Sequence, residues 1–496
     1  MPLDDDHNPL RPVIESVLPV KDRLAWALPS NAKSSGAIDV VPSNWRDVHN
    51  NAFLPEMIRI GPFRRQDQDG LNLRLRVMEE HKVRFLNRLL GGELERWRSD
   101  RDRSRTTEGE RASVEREREG DDDGGRVAKA LRLDDLWEAM LILKPEMETC
   151  YAKANPFYRG LFVETMVVDG CFVVELLRFY YDLLHKKSTV EAIQNDPILT
   201  NPKILTSLRR DLLLLENQLP LLVLEKLYEL INEKNNIDHL QAVPLEELAV
   251  TFFDPLLPQQ NAASKLDAQK PKAHLLDVFR SSFLKSVDEK VHKKEKNQVK
   301  SRLNPDGSSR GIVLHFASEL QEAGVQFKKW KDHDLLDVEF GHRTLRVPPL
   351  SLNDYTISLL LNFVGYELSV NHPEPFFTNY LMFWNSLVNS PRDIQILRKH
   401  RIINNMGSEK EVAELLMRCR EVIYDLDLGY LYDEIKEVND YCERYYDSKY
   451  HVCWRSLIRE RFSSPWTCLS LFAAIILLLL TLIQTFYTMY AYYRPH

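Results

Sequence analysis

The sequence predicts a mainly α protein: a large multi-helix globular body, a short extended or β segment, and one C-terminal transmembrane helix. Three observations predict this architecture. Glycine is sparse, with 18 glycines in 496 residues, and leucines recur in clusters, which favours helices over a turn-rich β fold. Apolar residues recur at helical spacing after recognisable helix starts. A long uncharged apolar run closes the chain.

The composition is typical of a globular protein with a sizeable core. Hydrophobic residues make up 44% of the chain, charged residues 28%, and the net charge is -7. So small a charge over this length makes nucleic acid an unlikely partner. The 6 cysteines show no CxxC, disulfide-framework or zinc spacing, so we expect reduced thiols in a cytosol-facing body. The first residues do not form a secretory signal peptide.

The C-terminal segment has the properties of a membrane-spanning helix. No charged residue occurs from Ser463 to Tyr493, and a helix over the 21 residues 469–489 matches the hydrocarbon core of a bilayer. We predict a bilayer-spanning helix over 466–490 and a short tail over 491–496. The residues expected within the span are Leu469, Phe472, Ile475, Leu478, Leu482 and Phe486, and the expected interfacial anchors are Trp466, Tyr487, Tyr490 and Arg461.

The residues around this helix predict its orientation. Lys449, Arg455, Arg459 and Arg461 precede it and Arg494 follows it, a distribution that places the body on the cytosolic side. With no signal peptide ahead of it, the helix predicts a tail-anchored, single-pass protein inserted after translation. We expect the plasma membrane, with an endomembrane as the alternative. A buried core helix is the competing interpretation, and the lack of charge on every face disfavours it.

The remaining chain divides by composition. Residues 1–38 are predicted to be disordered, and residues 39–462 to form the helical body. Two segments within the body are predicted to be solvated: a charged insert at 99–126 and a Lys-rich loop at 285–311. RNA binding by the insert is an alternative. Its charges nearly cancel and no aromatic residues interleave, so a surface insert is favoured.

Several helices can be placed in the body. The run DLLLLENQLPLLVLEKLYEL, from Asp211 to Leu230, predicts a central core helix that Pro220 breaks or kinks. We expect Glu216, Asn217 and Gln218 to satisfy backbone groups freed by that break. Only the segment 340–350 resembles a strand. Three helix starts place a hydroxyl at N-cap and a carboxylate three residues later: Ser351 with Asp354, Ser390 with Asp393, and Ser408 with Glu411.

The sequence contains no recognisable catalytic motif. No P-loop, GxGxxG, HExxH or GxSxG occurs, and the histidines lack metal-ligand spacing. We therefore assign no catalytic residue, no cofactor-binding residue and no metal ligand.

Several blocks resemble one plant family. They are the stretch 41–55 with the IGPF of 60–63, the DGCFVVELLR of 169–178, the DLLLLENQLP of 211–220, the segments 317–327 and 335–368, and the closing apolar segment. In this order they resemble the DUF247 family, also called UPF0481. The motif residues that this resemblance marks, and that we expect to be structural, are Asp169, Gly170, Cys171, Glu175, Glu216, Asn217, Gln218 and Pro220.

The resemblance implies a plant protein that is mostly helical and anchored by a C-terminal membrane helix. It implies no established reaction, cofactor or catalytic set. Some members of the family are tied to pollen–stigma self-incompatibility in grasses, and others to stress or development. The chain departs from the family pattern at Arg64, Arg65 and Gln66, where a histidine pair and glycine are usual, and at Leu368 and Ser369, where Glu and Gln are common.

Two functions remain open from the sequence. The first is a non-enzymatic recognition or signalling protein at a membrane, whose helical body contacts unidentified protein partners, with homo-oligomerisation open. The lipid bilayer is the partner expected for residues 466–490. The alternative is a membrane-associated enzyme of unrecognised type, using buried polar residues near the ENQLP segment.

Overall fold

The computed structural model describes most of the helical body and the C-terminal helix. The described residues are 38–41, 45–46, 49–63, 73–91, 131–151, 162–185, 195–234, 242–258, 265–267, 270–298, 314–405, 407–423, 429–447 and 465–493. Over these residues the protein is mainly helical, with a few short strands and one long apolar C-terminal helix. The predicted fold class is confirmed.

The helices and strands follow one another in a mostly helical order. The helices are α1 Leu73–Leu89, α2 Leu133–Thr149, α3 Phe162–Leu184, α4 Pro202–Asp211, α5 Leu221–Lys234, α6 Leu245–Phe253, α7 Leu275–Ser281, α8 Lys285–Gln298, α9 Ala317–Glu322, α10 Asp354–Ser369, α11 Phe376–Leu387, α12 Pro391–Lys399, α13 Glu409–Ile423, α14 Tyr432–Asp447 and α15 Pro465–Tyr493. The strands are β1 Gln326–Lys329, β2 Glu339–Gly341, β3 Thr344–Val347, β4 Leu350–Leu352 and β5 Ile403–Asn405.

Helix α3 lies at the centre of the first half of the body. Its sequence, FVETMVVDGCFVVELLRFYYDLL, is apolar on nearly every side, and such a helix is stable when it is buried. Helices α1, α2, α5 and α6 pack around it. The ring of Phe85 in α1 lies 5.0 Å from the ring of Phe172 in α3, centroid to centroid. This packing gives the first half of the body its core.

Helix α10 links the second half of the body to residues 41–61, which we call the N-terminal segment. It packs against α7, α11 and the short 3-10 helix Asn50–Ala52. The side-chain amide of Asn362 donates to the Ala52 carbonyl at 2.9 Å, and its Oδ1 accepts the Leu215 N–H at 2.8 Å. Asn362 therefore joins the N-terminal segment, helix α10 and the turn that follows α4.

Two small sheets lie between the helices. Strand β3 pairs in parallel with β1 and antiparallel with β2, while β4 pairs in parallel with β5. The predicted extended segment 340–350 contains β3 and overlaps β2 and β4, so this prediction is confirmed. Strands β1 and β5 were not predicted, because they have only 4 and 3 residues and each pairs with a strand distant in sequence.

The prediction of a helix from Asp211 to Leu230 is wrong in its first half. Helix α4 ends at Asp211, α5 begins at Leu221, and the residues between them form turns. The break at Pro220 is confirmed. The turns form because the amide of Gln218 donates to the carbonyls of Leu212 and Leu214, at 2.8 and 2.9 Å, in place of helical hydrogen bonds.

The predicted Lys-rich loop at 285–311 is also wrong in its first part. Residues Lys285–Gln298 form helix α8, because Val287 is buried in the core and Val291 packs against it. Two apolar residues four positions apart suffice to hold one face of this highly charged helix. Residues 299–311 lie outside the described part of the chain, as do residues 1–37 and the insert at 99–126.

The three predicted helix starts have different outcomes. The pair Ser408 and Glu411 forms the predicted reciprocal cap, with N–H to side-chain distances of 3.1 and 3.2 Å. Helix α12 begins after Ser390 as predicted, but that hydroxyl donates to the Asp393 carboxylate at 2.8 Å instead of capping the backbone. The third start is wrong by two residues, because Asn353 caps α10 and Ser351 lies in β4.

The close packing of α3 on α5 predicts the effect of a methyl group at Gly170. A Cβ atom there would lie 2.4 Å from Leu227 Cδ1 and 3.5 Å from Val223 Cγ1, and Leu227 is fully buried. We expect Gly170→Ala to lower the free energy of unfolding by about 1–3 kcal/mol through overpacking. Denaturant unfolding of the full chain in lipid nanodiscs measures this change.

Gly365 in α10 provides the matched control. A Cβ atom there would lie 3.5 Å from Leu215 Cδ2, an ordinary van der Waals distance. We expect Gly365→Ala to be neutral or to stabilise by up to about 1 kcal/mol, since alanine favours the helix. Equal losses for the two substitutions would contradict the proposed packing.

Candidate functional site

The family-motif residues form a buried polar cluster beneath the N-terminal segment. We call it the ENQLP hub: Asp169, Asp211, Glu216, Asn217 and Gln218. These side chains are at most 4% exposed. They come from α3, from the end of α4 and from the turns before α5. Their partners include backbone groups of residues 41–61, which Asp169, Asp211, Glu216 and Asn217 all bind.

Asp211 binds the backbone of one N-terminal loop. Its Oδ2 accepts the N–H groups of Glu56, Met57 and Ile58 at 2.9, 2.6 and 3.0 Å. Its Oδ1 accepts from the Arg210 guanidinium at 2.8 Å. Burial raises the pKa of the Asp211 carboxyl to about 6, although these hydrogen bonds and Arg210 act in the opposite direction. Burial therefore outweighs the hydrogen bonds.

Asn217 and Gln218 bind backbone groups on two sides of the hub through their side-chain amides. The Oδ1 of Asn217 accepts the Ile60 N–H at 2.8 Å, and its amide donates to the Ile58 carbonyl at 3.1 Å. The Oε1 of Gln218 accepts the Leu276 N–H at 3.1 Å, at the start of α7. The two amides therefore fix the loop on one side and α7 on the other.

Glu216 binds the first described residues of the body. Its Oε1 accepts the Val41 N–H at 2.8 Å and also contacts the Arg46 guanidinium. The glutamate is 4% exposed and the arginine is 31% exposed. This contact holds the beginning of the body against the hub.

Asp169 of the hub forms a buried ion pair with Lys82 of α1. Lys82 Nζ lies 2.8 Å from Asp169 Oδ1, and both side chains are fully buried. Lys82 also donates to the Arg59 carbonyl, and Asp169 Oδ2 accepts the Gly61 N–H at 3.0 Å. Gly61 has φ +71, and a Cβ atom there would lie 2.7 Å from the Gln218 carbonyl oxygen. Only glycine fits this close approach.

The other motif residues of α3 lie in the core. Cys171 is fully buried, and burial raises the pKa of its thiol, so it is an unreactive core cysteine. Burial also raises the pKa of the Glu175 carboxyl, and the neighbouring Arg178 partly opposes that shift. Pro220 ends the turns, and its neighbour Leu221 donates its N–H to the Ala273 carbonyl at 2.8 Å. These motif residues thus contact other parts of the protein core.

A second buried ion pair lies at the start of α11. Arg280 of α7 donates from Nε and Nη2 to Glu367 Oε1 at 2.8 and 2.7 Å. Glu367 Oε2 also accepts the Thr378 N–H at 2.8 Å. The carboxylate therefore satisfies backbone donors of the first turn of α11, where a negative charge is favourable. The pair connects α7, α10 and α11.

These contacts weigh against catalysis at the hub. The hub carboxylates and amides bind backbone groups or buried cations, so a substrate would have to displace those partners. Within the part of the chain that the structure describes, no group of three or more His, Cys, Asp or Glu side chains is arranged to hold a metal ion. The hub contacts have a structural role: they hold residues 41–61 against the helices of the body.

Open space occurs instead at the surface, on both sides of Tyr355. One cleft of about 640 Å³ lies between α1 and α4, and its wall includes Val77, Lys203 and Tyr355. A second cleft of about 720 Å³ lies between the start of α10 and α13, and its wall includes Glu414 and Tyr355. Sequence reasoning missed both clefts, because their walls come from segments that lie far apart in the sequence.

The C-terminal helix α15 differs from the body helices in its exposure. Residues 472–490 have a mean hydropathy of 2.0, and none of that stretch is buried against the rest of the protein. The predicted span residues and two predicted anchors are exposed by half or more: Leu469, Phe472, Ile475, Leu478, Leu482, Phe486, Tyr487 and Tyr490. The side chain of Trp466 and residue Arg461 lie outside the described part. The hydroxyls of Thr481 and Thr485 donate to carbonyls one turn earlier.

These features define a class of protein: a helical body with one C-terminal helix long and apolar enough to cross a membrane. Residues 38–480 match the model of the DUF247 family, described as a plant protein of unknown function. The chain belongs to this family.

Two curated relatives from Arabidopsis thaliana support the assignment. A UPF0481 protein is 26% identical, over 92% of this chain and 87% of the relative. A putative UPF0481 protein is 22% identical, over 72% of this chain and 79% of the relative. No solved structure matches the chain.

The buried ion pair predicts a large effect of removing Lys82. Lys82→Met leaves the Asp169 carboxylate buried without its cation, so we expect a loss of about 3–5 kcal/mol in the free energy of unfolding. Lys226→Met is the control, because Lys226 and Glu229 pair at 2.6 Å but are 38% and 42% exposed. The control should lose at most about 1 kcal/mol. Denaturant titrations in nanodiscs compare the two, and similar losses would refute the role of burial.

The raised pKa of Asp211 predicts a pH dependence of stability. The folded carboxyl titrates at about 6 and the unfolded one near 3.8, so the folded state binds the extra proton between these values. Its contribution is fully present below the unfolded pKa and is lost as the pH rises through the folded pKa. Relative to Asp211→Asn, the wild type should lose about 2 kcal/mol between pH 4 and pH 7. A difference that stays constant with pH would contradict this shift.

Proposed function

We propose that this chain is a tail-anchored, single-pass membrane protein whose helical body recognises other proteins on the cytosolic side. The observation that carries the proposal is the exposure of helix α15. A continuous apolar surface over residues 472–490 with no protein packed on it is unstable in water and stable in lipid. The basic residues at 449, 455, 459 and 461 support a cytosolic body.

A non-enzymatic recognition or signalling role agrees best with the body. Its motif residues are used for internal contacts, and its surface carries two clefts with charged rims. Open, charged clefts of this kind suit partner binding. The plasma membrane is the proposed location, and an endomembrane is the alternative.

Charged substitutions within α15 test the anchor. Leu478→Asp with Leu482→Asp places two carboxylates at the centre of the predicted span. Each carboxylate raises the free energy of membrane insertion by about 2.5–3.5 kcal/mol. We expect alkaline carbonate to extract this variant from membranes of expressing cells, while the wild type stays in the pellet. Leu478→Ala with Leu482→Ala should behave like the wild type. Retention of the aspartate variant would contradict a transmembrane span.

Proximity labelling tests side and partners together. A labelling enzyme fused to the N-terminus should modify cytosolic proteins at one membrane, and the double aspartate variant should lose that enrichment. Labelling of lumenal or extracellular proteins would overturn the orientation. If wild type and variant label the same neighbours, recognition at a membrane is not the function of the body.

A further inference from the structure

The two clefts that meet at Tyr355 are charged in opposite senses. Tyr355 lies in the first turn of α10 and is half-buried, and it forms part of the wall of both clefts. We call the first the basic cleft and the second the acidic cleft. The pair is a two-part groove with an aromatic side chain between its parts.

The basic cleft combines an apolar floor with cationic walls. Met78 and Ile198 are buried beneath it, and Val77 is 41% exposed at its edge. Arg74 of α1 and Lys203 of α4 supply the positive charge. The one carboxylate in the wall, that of Glu56, lies 3.6 Å from the Arg210 guanidinium, so its charge is partly compensated.

The imidazole in this wall adds little charge at neutral pH. Burial lowers the pKa of His81, and the nearby Arg84 lowers it further, against weaker opposing effects of Asp196 and Glu80. The basic cleft therefore presents the charges of Arg74 and Lys203, and it is suited to acidic residues of a ligand.

The acidic cleft has the reverse charge. Its wall contains three carboxylates, those of Asp354 at the start of α10 and of Glu411 and Glu414 in α13. Arg418 contributes a guanidinium to the same wall. Leu415 and Ile357 give it apolar surface. Glu414 is 47% exposed, and Lys410 at 3.6 Å compensates part of its charge, so Asp354 and Glu411 share in the net negative charge of the cleft. The acidic cleft is suited to basic residues.

We propose that this groove binds an extended peptide segment of a partner protein, with acidic residues at one end, a bulky apolar residue on Tyr355, and basic residues at the other end. This inference rests on the protein-recognition role proposed above. Two open clefts that share one wall residue fit an extended chain better than a compact small molecule, which prefers a single enclosed pocket. Opposite charges at the two ends fix the direction of the peptide, and the central aromatic side chain supplies the apolar anchor.

Short fluorescein-labelled peptides test the proposal against the full chain in nanodiscs of zwitterionic lipid. The probes carry an acidic block, a Leu-Phe pair and a basic block, and they are made in both chain directions. A scrambled peptide of the same composition alternates the charges. By fluorescence anisotropy, one block peptide should bind at least about tenfold more tightly than the scrambled peptide. Equal affinities of all probes would overturn the proposal.

Single charge reversals test which end of the peptide lies where. Lys203→Glu should weaken the block peptide by about threefold to tenfold and strengthen an all-basic peptide, while Glu414→Lys should favour an all-acidic one. Tyr355→Ala should weaken every block peptide by about tenfold or more. The matched controls Lys399→Glu and Glu443→Lys change exposed charges outside the clefts and should have no effect. Controls that act like the groove variants would overturn the proposal.

Further outcomes separate the groove from its alternatives. If the groove instead holds a second copy of the chain, the protein will associate with rising concentration and Tyr355→Ala will abolish that association, which overturns the peptide proposal. If proximity labelling finds partners that Tyr355→Ala and Lys203→Glu leave unchanged, the groove is not their binding site and the proposed function stands. If labelling finds no partners, the proposed function fails, and peptide binding in nanodiscs still decides the groove.

Discussion

The rest of the body depends on the burial of the ENQLP hub under the N-terminal segment. Between 49 and 61 the only regular element is the short 3-10 helix Asn50–Ala52, so backbone donors and acceptors of this stretch need partners from elsewhere. The hub supplies them through Asp211 and Asn217, and Glu216 binds the Val41 N–H. In return, the segment covers polar side chains that would otherwise face an apolar core. Each side of this contact would be unfavourable without the other.

A different constraint governs the C-terminal helix. In the body, apolar residues are buried against other helices and polar ones are matched with backbone groups. Helix α15 has apolar residues on all sides and satisfies its own backbone and threonine hydroxyls internally. Such a helix is suited to lipid because it requires no partner for its polar groups. The body and the helix therefore both pair their polar groups, the body through tertiary contacts and the helix within itself.

The features that could be predicted were those set by local sequence. The break at Pro220, the reciprocal cap of Ser408 and Glu411, and the strand at 344–347 depend on neighbouring residues and appear as expected. The irregular turns after Asp211 could not be predicted from the local pattern, because a run of leucines favours a helix. The turns form because Gln218 donates to the carbonyls of that run. Helix α8 was missed because lysines dominate its local sequence. The packing of Val287 and Val291 that stabilises the helix requires the folded core.

The sequence by itself determined the class of this protein: a helical body, a family with ordered motif blocks, and an apolar helix of bilayer length. These properties depend on composition and short-range periodicity, which any stretch of chain carries with it. Only the tertiary structure decided what the motif residues do and where the open surface lies. Asp169 meets Lys82 across 87 positions, and Tyr355 lines one cleft with Lys203 and another with Glu414. Such contacts join distant segments through core packing, and no local pattern encodes them.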